Sequence, residues 1–91
     1  MLTSRQVLLT AFASLIAAAP AMAVDILNRD KTDREAVVNH SNGQSEVVTV
    51  KAGKRVTDVC TSCVILVGDS SVEALGRATA VIEDGKITLG R

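Results

Sequence analysis

The dipeptide Asp84-Gly85, set between Glu83 and Lys86, constrains this chain more than any other feature. Asp-Gly inside an alternating apolar pattern marks a two-residue hairpin loop, because a type I′ turn needs positive φ at both central positions. Such a turn fixes the register of everything beside it. Glu83 then faces Lys86 as a pair of opposite charges, Ile82 faces Ile87, Val81 faces Thr88 and Ala80 faces Leu89. In that register Ala78, Ala80, Ile82, Ile87 and Leu89 share one apolar face, and a slip by one residue would turn them all to solvent.

The same period of two runs backwards from the hairpin. Val72, Ala74, Gly76, Ala78, Ala80 and Ile82 alternate with Ser71, Glu73, Leu75, Arg77, Thr79 and Val81. A competing pattern overlaps it, since Ser70-Ser71-Val72-Glu73 fits a capping box and Gly76 suits the end of a short helix. A helix of one turn gains little by itself, so the strand is preferred. Further turns punctuate the chain upstream. His40-Ser41-Asn42-Gly43-Gln44 joins the valine-rich stretches 36–39 and 47–50, with Asn-Gly as the hairpin signal because both residues tolerate positive φ. Ala52-Gly53-Lys54 and Gly68-Asp69-Ser70-Ser71 mark two more turns. Valine dominates the apolar positions, and β-branched side chains fit a pleated surface better than a helix. The sequence therefore predicts an all-β domain: a small antiparallel sandwich or partly open barrel of six to seven short strands.

The amino-terminal stretch has another character. It carries a basic start at Arg5, an apolar run from Val7 to Ala19, and small residues at Ala21 and Ala23. That order is the pattern of a secretory signal peptide, predicting a cleaved signal helix over residues 1–23 with the mature chain starting at Val24. A membrane-spanning anchor is the alternative, but the run is about 13 residues where a spanning helix needs about 20. No twin arginine follows Met1 and no cysteine stands at the cleavage point, which points to the general secretory route and no lipid anchor. The expected destination is the periplasm or the exterior of a bacterial cell, with no stable membrane insertion after cleavage.

Loss of residues 1–23 would remove the single Phe (Phe12), the single Pro (Pro20) and both Met, leaving residues 24–91 as one small domain with no aromatic side chain. Of ten basic residues Arg5 would also leave, so nine remain against ten acidic ones. Near-neutral charge without a basic cluster gives no footprint for nucleic acid, and there is no ring on which a base can stack. A domain of this size buries only about 60% of its unfolded surface. Its core is restricted to Val, Ile, Leu and Ala, so a disulfide, a metal or self-association is expected to contribute.

Cys60-Thr61-Ser62-Cys63 is the one constellation with chemical content. In an oxidising compartment its default state is a disulfide. Read structurally, the bridge pins a turn between a strand ending near Val59 and the strand Val64 to Val67, and a loop this short gives about 2 kcal/mol by the chain-entropy relation. A redox reading needs the attacking thiolate at a helix N-terminus, whereas a strand pattern follows Cys63. A copper or zinc reading joins Cys60 and Cys63 to His40, but three candidate ligands fall short of the four of a structural zinc site. Val64 stands where c-type haem attachment requires histidine.

The remaining candidates have ordinary readings. His40 beside Ser41-Asn42-Gly43 is expected to be an exposed turn residue. The run Asn28-Arg29-Asp30-Lys31-Thr32-Asp33-Arg34-Glu35 is expected to be a solvated loop of mixed charge, with a polar partner-binding edge as its functional alternative. No G-x-S-x-G elbow or phosphate-cradling glycine pattern occurs. The chain is thus expected to be a non-enzymatic exported module without cofactor. It would act by protein-protein binding, including homo-oligomerisation, or as an envelope structural component. The alternative is a thiol-disulfide redox or copper/zinc-handling protein using Cys60 and Cys63.

Overall fold

The computed structural model describes residues 23–90. Residues 1–22, which hold most of the expected signal segment including Ala21, lie outside that range. The described chain is all-β, with no helix. Eight strands follow one another: β1 (Val24–Asn28), β2 (Arg34–His40), β3 (Ser45–Val50), β4 (Arg55–Cys60), β5 (Ser62–Val67), β6 (Ser70–Leu75), β7 (Thr79–Glu83) and β8 (Lys86–Gly90). They form two four-stranded sheets, the first ordered β4-β1-β7-β8 and the second β3-β2-β5-β6.

The carboxyl-terminal hairpin has the register its turn dictates. Glu83 faces Lys86, Ile82 faces Ile87, Val81 faces Thr88 and Ala80 faces Leu89. Asp84 (φ 56°) and Gly85 (φ 73°) both occupy the left-handed region that a type I′ turn requires. Ala80, Ile82 and Ile87 are buried, but Leu89, near the end of an edge strand, is half exposed. The first hairpin differs in detail from the Asn-Gly expectation. Of its two residues only Gly43 has positive φ, and its amide bonds to the His40 carbonyl (3.0 Å) while Asn42 Oδ1 accepts from the Gln44 amide (2.9 Å). That is a type I turn closed by a glycine bulge, a three-residue loop.

The strand count exceeds the expected six to seven because the run from Val72 to Ile82 is two strands. The chain turns at Gly76 (φ 63°), and β6 and β7 lie in different sheets. Both halves bury the same parity, Ala74 before the turn and Ala80 after it, so the alternation passes through the crossing without a break. One pairing is parallel, β1 with β7; the others are antiparallel.

Inward-facing residues of both sheets meet in a single core. Val24, Ile26, Ala80, Ile82 and Ile87 from the first sheet pack with Ala36, Val38, Val50, Ile65, Val67 and Ala74 from the second. On one side β6 and β8 approach each other, and the Ser70 hydroxyl joins them by donating to the Val67 carbonyl (3.1 Å) and accepting from the Ile87 amide (2.8 Å). The link satisfies an edge N–H that the β7-β8 ladder leaves outward.

The charged run after β1 is more ordered than a solvated loop. Asn28 is the last residue of β1 and fully buried. Its Nδ2 donates to the carbonyls of Thr32 and Val50 (both 2.9 Å), and its Oδ1 accepts from the Asp30 amide (2.9 Å). A buried amide with these partners meets the requirement for placing a polar group in a core. Asp30 in turn accepts from the amides of Asp84 (2.6 Å) and Gly85 (2.9 Å) and from Arg34 Nε (2.8 Å). One carboxylate thus fastens the β1-β2 loop to the β7-β8 turn. Arg34 and Glu35 belong to β2.

Candidate functional site

In each sheet the register decides which side chains face outward. In the second sheet these are residues 35, 37 and 39 of β2, 45, 47 and 49 of β3, 62, 64 and 66 of β5, and 71, 73 and 75 of β6. Val37 lies opposite Val47 on one side and Leu66 on the other, so three apolar side chains form a row across three strands. Val64 is on the same face, and Leu75 lies towards one end of it, opposite Ser62. Val47 is 63% exposed and Leu75 67%. Val37, Leu66 and Val64 are half-buried, so the row is a contiguous apolar strip that is most open at Val47.

The outer face of the first sheet has a different character. Asp25, Arg55, Thr79, Thr88 and Lys86 lie on it beside one half-buried apolar pair, Leu27 opposite Val81, and Arg55 Nη1 reaches Asp25 Oδ2 at 3.0 Å. Asp25 also accepts from the amide of Asp58 (3.1 Å), whose φ of 57° marks the bulge that interrupts the pairing of β1 with β4. The second sheet carries the larger apolar outer surface, including the well-exposed Val47 and Leu75. At its end a shallow depression of about 450 Å³ is lined by Asn39, His40, Ser62, Cys63, Glu73 and Leu75.

The two cysteines sit where the chain passes between sheets. Cys60 ends β4 in the first sheet, Cys63 is the second residue of β5 in the second sheet, and Thr61 alone separates the strands. Their sulfurs are bonded at 2.05 Å, and the residues are 8% and 5% exposed. The bridge pins a crossing between layers, so it holds the sheets together at that end. No helix N-terminus adjoins it among the described residues.

His40 is the last residue of β2, with its Cα opposite that of Cys63 and its Nε2 3.2 Å from Glu46 Oε1. Its side chain is 24% exposed, so it is less open than a turn residue is expected to be. With the sulfurs bonded to each other, the three metal-ligand candidates offer no thiolate. Among the described residues no three His, Cys, Asp or Glu side chains gather in a geometry to hold a metal ion.

Two carboxyls are held below the ordinary aspartate range. For Asp30 the Gly85 amide is the largest cause, opposed by partial desolvation and reinforced by the Asp84 amide and Arg34. For Asp33 it is the Ala52 amide, opposed by partial desolvation and supported by Lys51. Both act on loop structure, away from the apolar face.

Sequence reading locates the cysteine pair and the valine-rich strands but not the face, because a run such as Ala36-Val37-Val38 does not say which valine turns inward. Asn28 leaves a faint local signal, the Asn-x-Asp spacing of an Asx turn. Compared with known proteins, the chain matches no family model, no curated protein and no solved structure.

Proposed function

We propose that the chain is a small exported β module that works without catalysis, by holding another protein against the outer face of its second sheet, as a binding partner or as an envelope component. The observation that carries this reading is the apolar row Val47, Val37 and Leu66, with Val64 and Leu75 on the same face. Covering such a face removes apolar area from water at about 25 cal/mol per Å². The opposite outer face offers less, since its one apolar pair, Leu27 and Val81, is half-buried beside the Asp25–Arg55 ion pair. The sheets are read as a small sandwich, closed where β6 meets β8, that presents this face as a rigid platform.

The signal pattern over residues 1–23 and the Cys60–Cys63 bridge both favour an oxidising destination, periplasm or exterior. Burial of both cysteines favours a structural bridge over an exchanging one, since exchange needs an accessible sulfur. The test is photo-crosslinking in the native compartment from a probe at position 66, with position 88 on the other sheet as control. A protein adduct specific to position 66 is expected; equal labelling from both positions, or none, would refute the reading.

A further inference from the structure

Of the four sheet edges, one is regular and open. β4 is interrupted by the bulge at Asp58, while β6 and β8 lie against each other and share the Ser70 hydroxyl. β3 has neither device. Its sequence Ser45-Glu46-Val47-Val48-Thr49-Val50 has high strand propensity and one charge, and it pairs with β2 alone.

The direction of its free hydrogen-bonding groups follows from the turn. The His40 amide donates to the Gln44 carbonyl (2.7 Å), and the His40 carbonyl accepts from Gly43, so His40 and Gln44 form a hydrogen-bonded pair. Antiparallel alternation then points Glu46, Val48 and Val50 at β2, and Ser45, Val47 and Thr49 at the open edge. Those outward residues also carry their side chains on the apolar outer face. We infer that β3 pairs antiparallel with β3 of a second copy, about a two-fold axis at Val47.

Register selects that axis. Only pairings that keep like faces together leave the apolar rows on one side. An axis at Glu46 would set Glu46 against its own copy, a like-charge pair. An axis at Val48 would set Val47 against Thr49. At Val47, each Val47 exchanges backbone bonds with the other, Ser45 pairs with Thr49 on both sides, and Glu46 faces Val48. The row Leu66, Val37, Val47 then continues into Val47, Val37 and Leu66 of the second copy, which sets an apolar neighbour beside the side chain that stands 63% exposed. A two-fold contact closes on itself, so it gives a dimer and not a fibre. This inference goes beyond the reading of the outer face as a binding surface: edge pairing lies in the plane of the sheets, so the joined apolar face stays open to a further partner.

The experiment compares the wild-type chain with Val47→Lys and Val47→Glu, each expressed from all 91 residues and purified as the host processes it. Mass is measured by light scattering up to roughly 100 μM, well above a micromolar Kd. The wild type is expected to be dimeric and each variant monomeric with unchanged circular dichroism, since the exposed position leaves the core intact. An equimolar mixture of the two variants is expected to associate about tenfold more tightly than either alone, because opposite charges now face each other. A monomeric wild type, a dimeric Val47→Lys protein, or variants that fail to associate when mixed would overturn it. If the wild type is monomeric while position 66 still crosslinks to another protein, the second copy is wrong and the reading of the face stands.

Discussion

The substitution Asn28→Asp changes one group in the core, NH₂ to O, with almost no change in shape. The second oxygen would face the carbonyls of Thr32 and Val50, each of which now accepts at 2.9 Å. Two hydrogen bonds are lost and a buried carboxylate is set against two acceptors. Counting about 1 to 1.5 kcal/mol for each lost bond gives about 2 to 3 kcal/mol before the cost of the charge. Stability of about 0.05 to 0.15 kcal/mol per residue gives a domain this size about 3 to 10 kcal/mol in all, so the loss is a large share of it. The cost also depends on pH in a definite direction. Burial and facing carbonyls raise the folded-state pKa of the introduced carboxyl above its unfolded value, so the ionisation penalty is absent below the unfolded pKa and grows as pH rises through the folded one. Protonated, the acid can donate to one of the two carbonyls. The difference from wild type should therefore be smallest near pH 4 and largest at neutral pH. Urea unfolding followed by far-ultraviolet circular dichroism is the suitable assay, because the chain has no Trp or Tyr for fluorescence. A neutral-pH cost below about 0.5 kcal/mol, the range of ordinary surface substitutions, or a cost that does not change with pH, would refute the assignment of Asn28 as the buried anchor of the β1-β2 loop.

Removing the disulfide with Cys60→Ala and Cys63→Ala should cost about 2 kcal/mol by chain entropy while leaving a folded domain, measured by the same unfolding curves. Gly85→Ala should cost about 1 kcal/mol, because φ of 73° is left-handed and a side chain there is strained; a neutral substitution would contradict the type I′ turn. The depressed carboxyls of Asp30 and Asp33 contribute stability that is present above the ordinary aspartate pKa of about 3.9 and lost as pH falls through their folded values. Wild-type stability should accordingly decline below about pH 4. Asp30→Asn should flatten that decline, seen as a smaller difference between unfolding midpoints at acid and neutral pH.

What the sequence discloses here is local. The β7-β8 hairpin is legible in full because Asp84-Gly85 sets the turn and the turn sets every later pair. The first hairpin is legible as a turn but not as a turn type, since Asn42 keeps negative φ and the loop closes by a bulge at Gly43. Assignment to sheets is not legible: the alternation from Val72 to Ile82 continues unchanged across Gly76, although the chain changes layer there. Nor is the parallel pairing of β1 with β7, which joins residues far apart in sequence through backbone groups that every residue carries. Asn28 is hidden for a related reason, as two of its partners are carbonyl oxygens. The cysteine pair is visible from its spacing, but its role in tying one sheet to the other depends on topology. The outer face depends on it as well, because Val47, Val37 and Leu66 become neighbours only through strand order.

The binding face and the structural bridge are tested together by the native intact mass of the protein recovered from its own compartment, before and after reduction. The expected species is a chain that begins at Val24 and carries the bridge, two hydrogens lighter than its reduced form, in a stoichiometric protein complex. A lone monomer with two free thiols would contradict both the binding face and the structural disulfide.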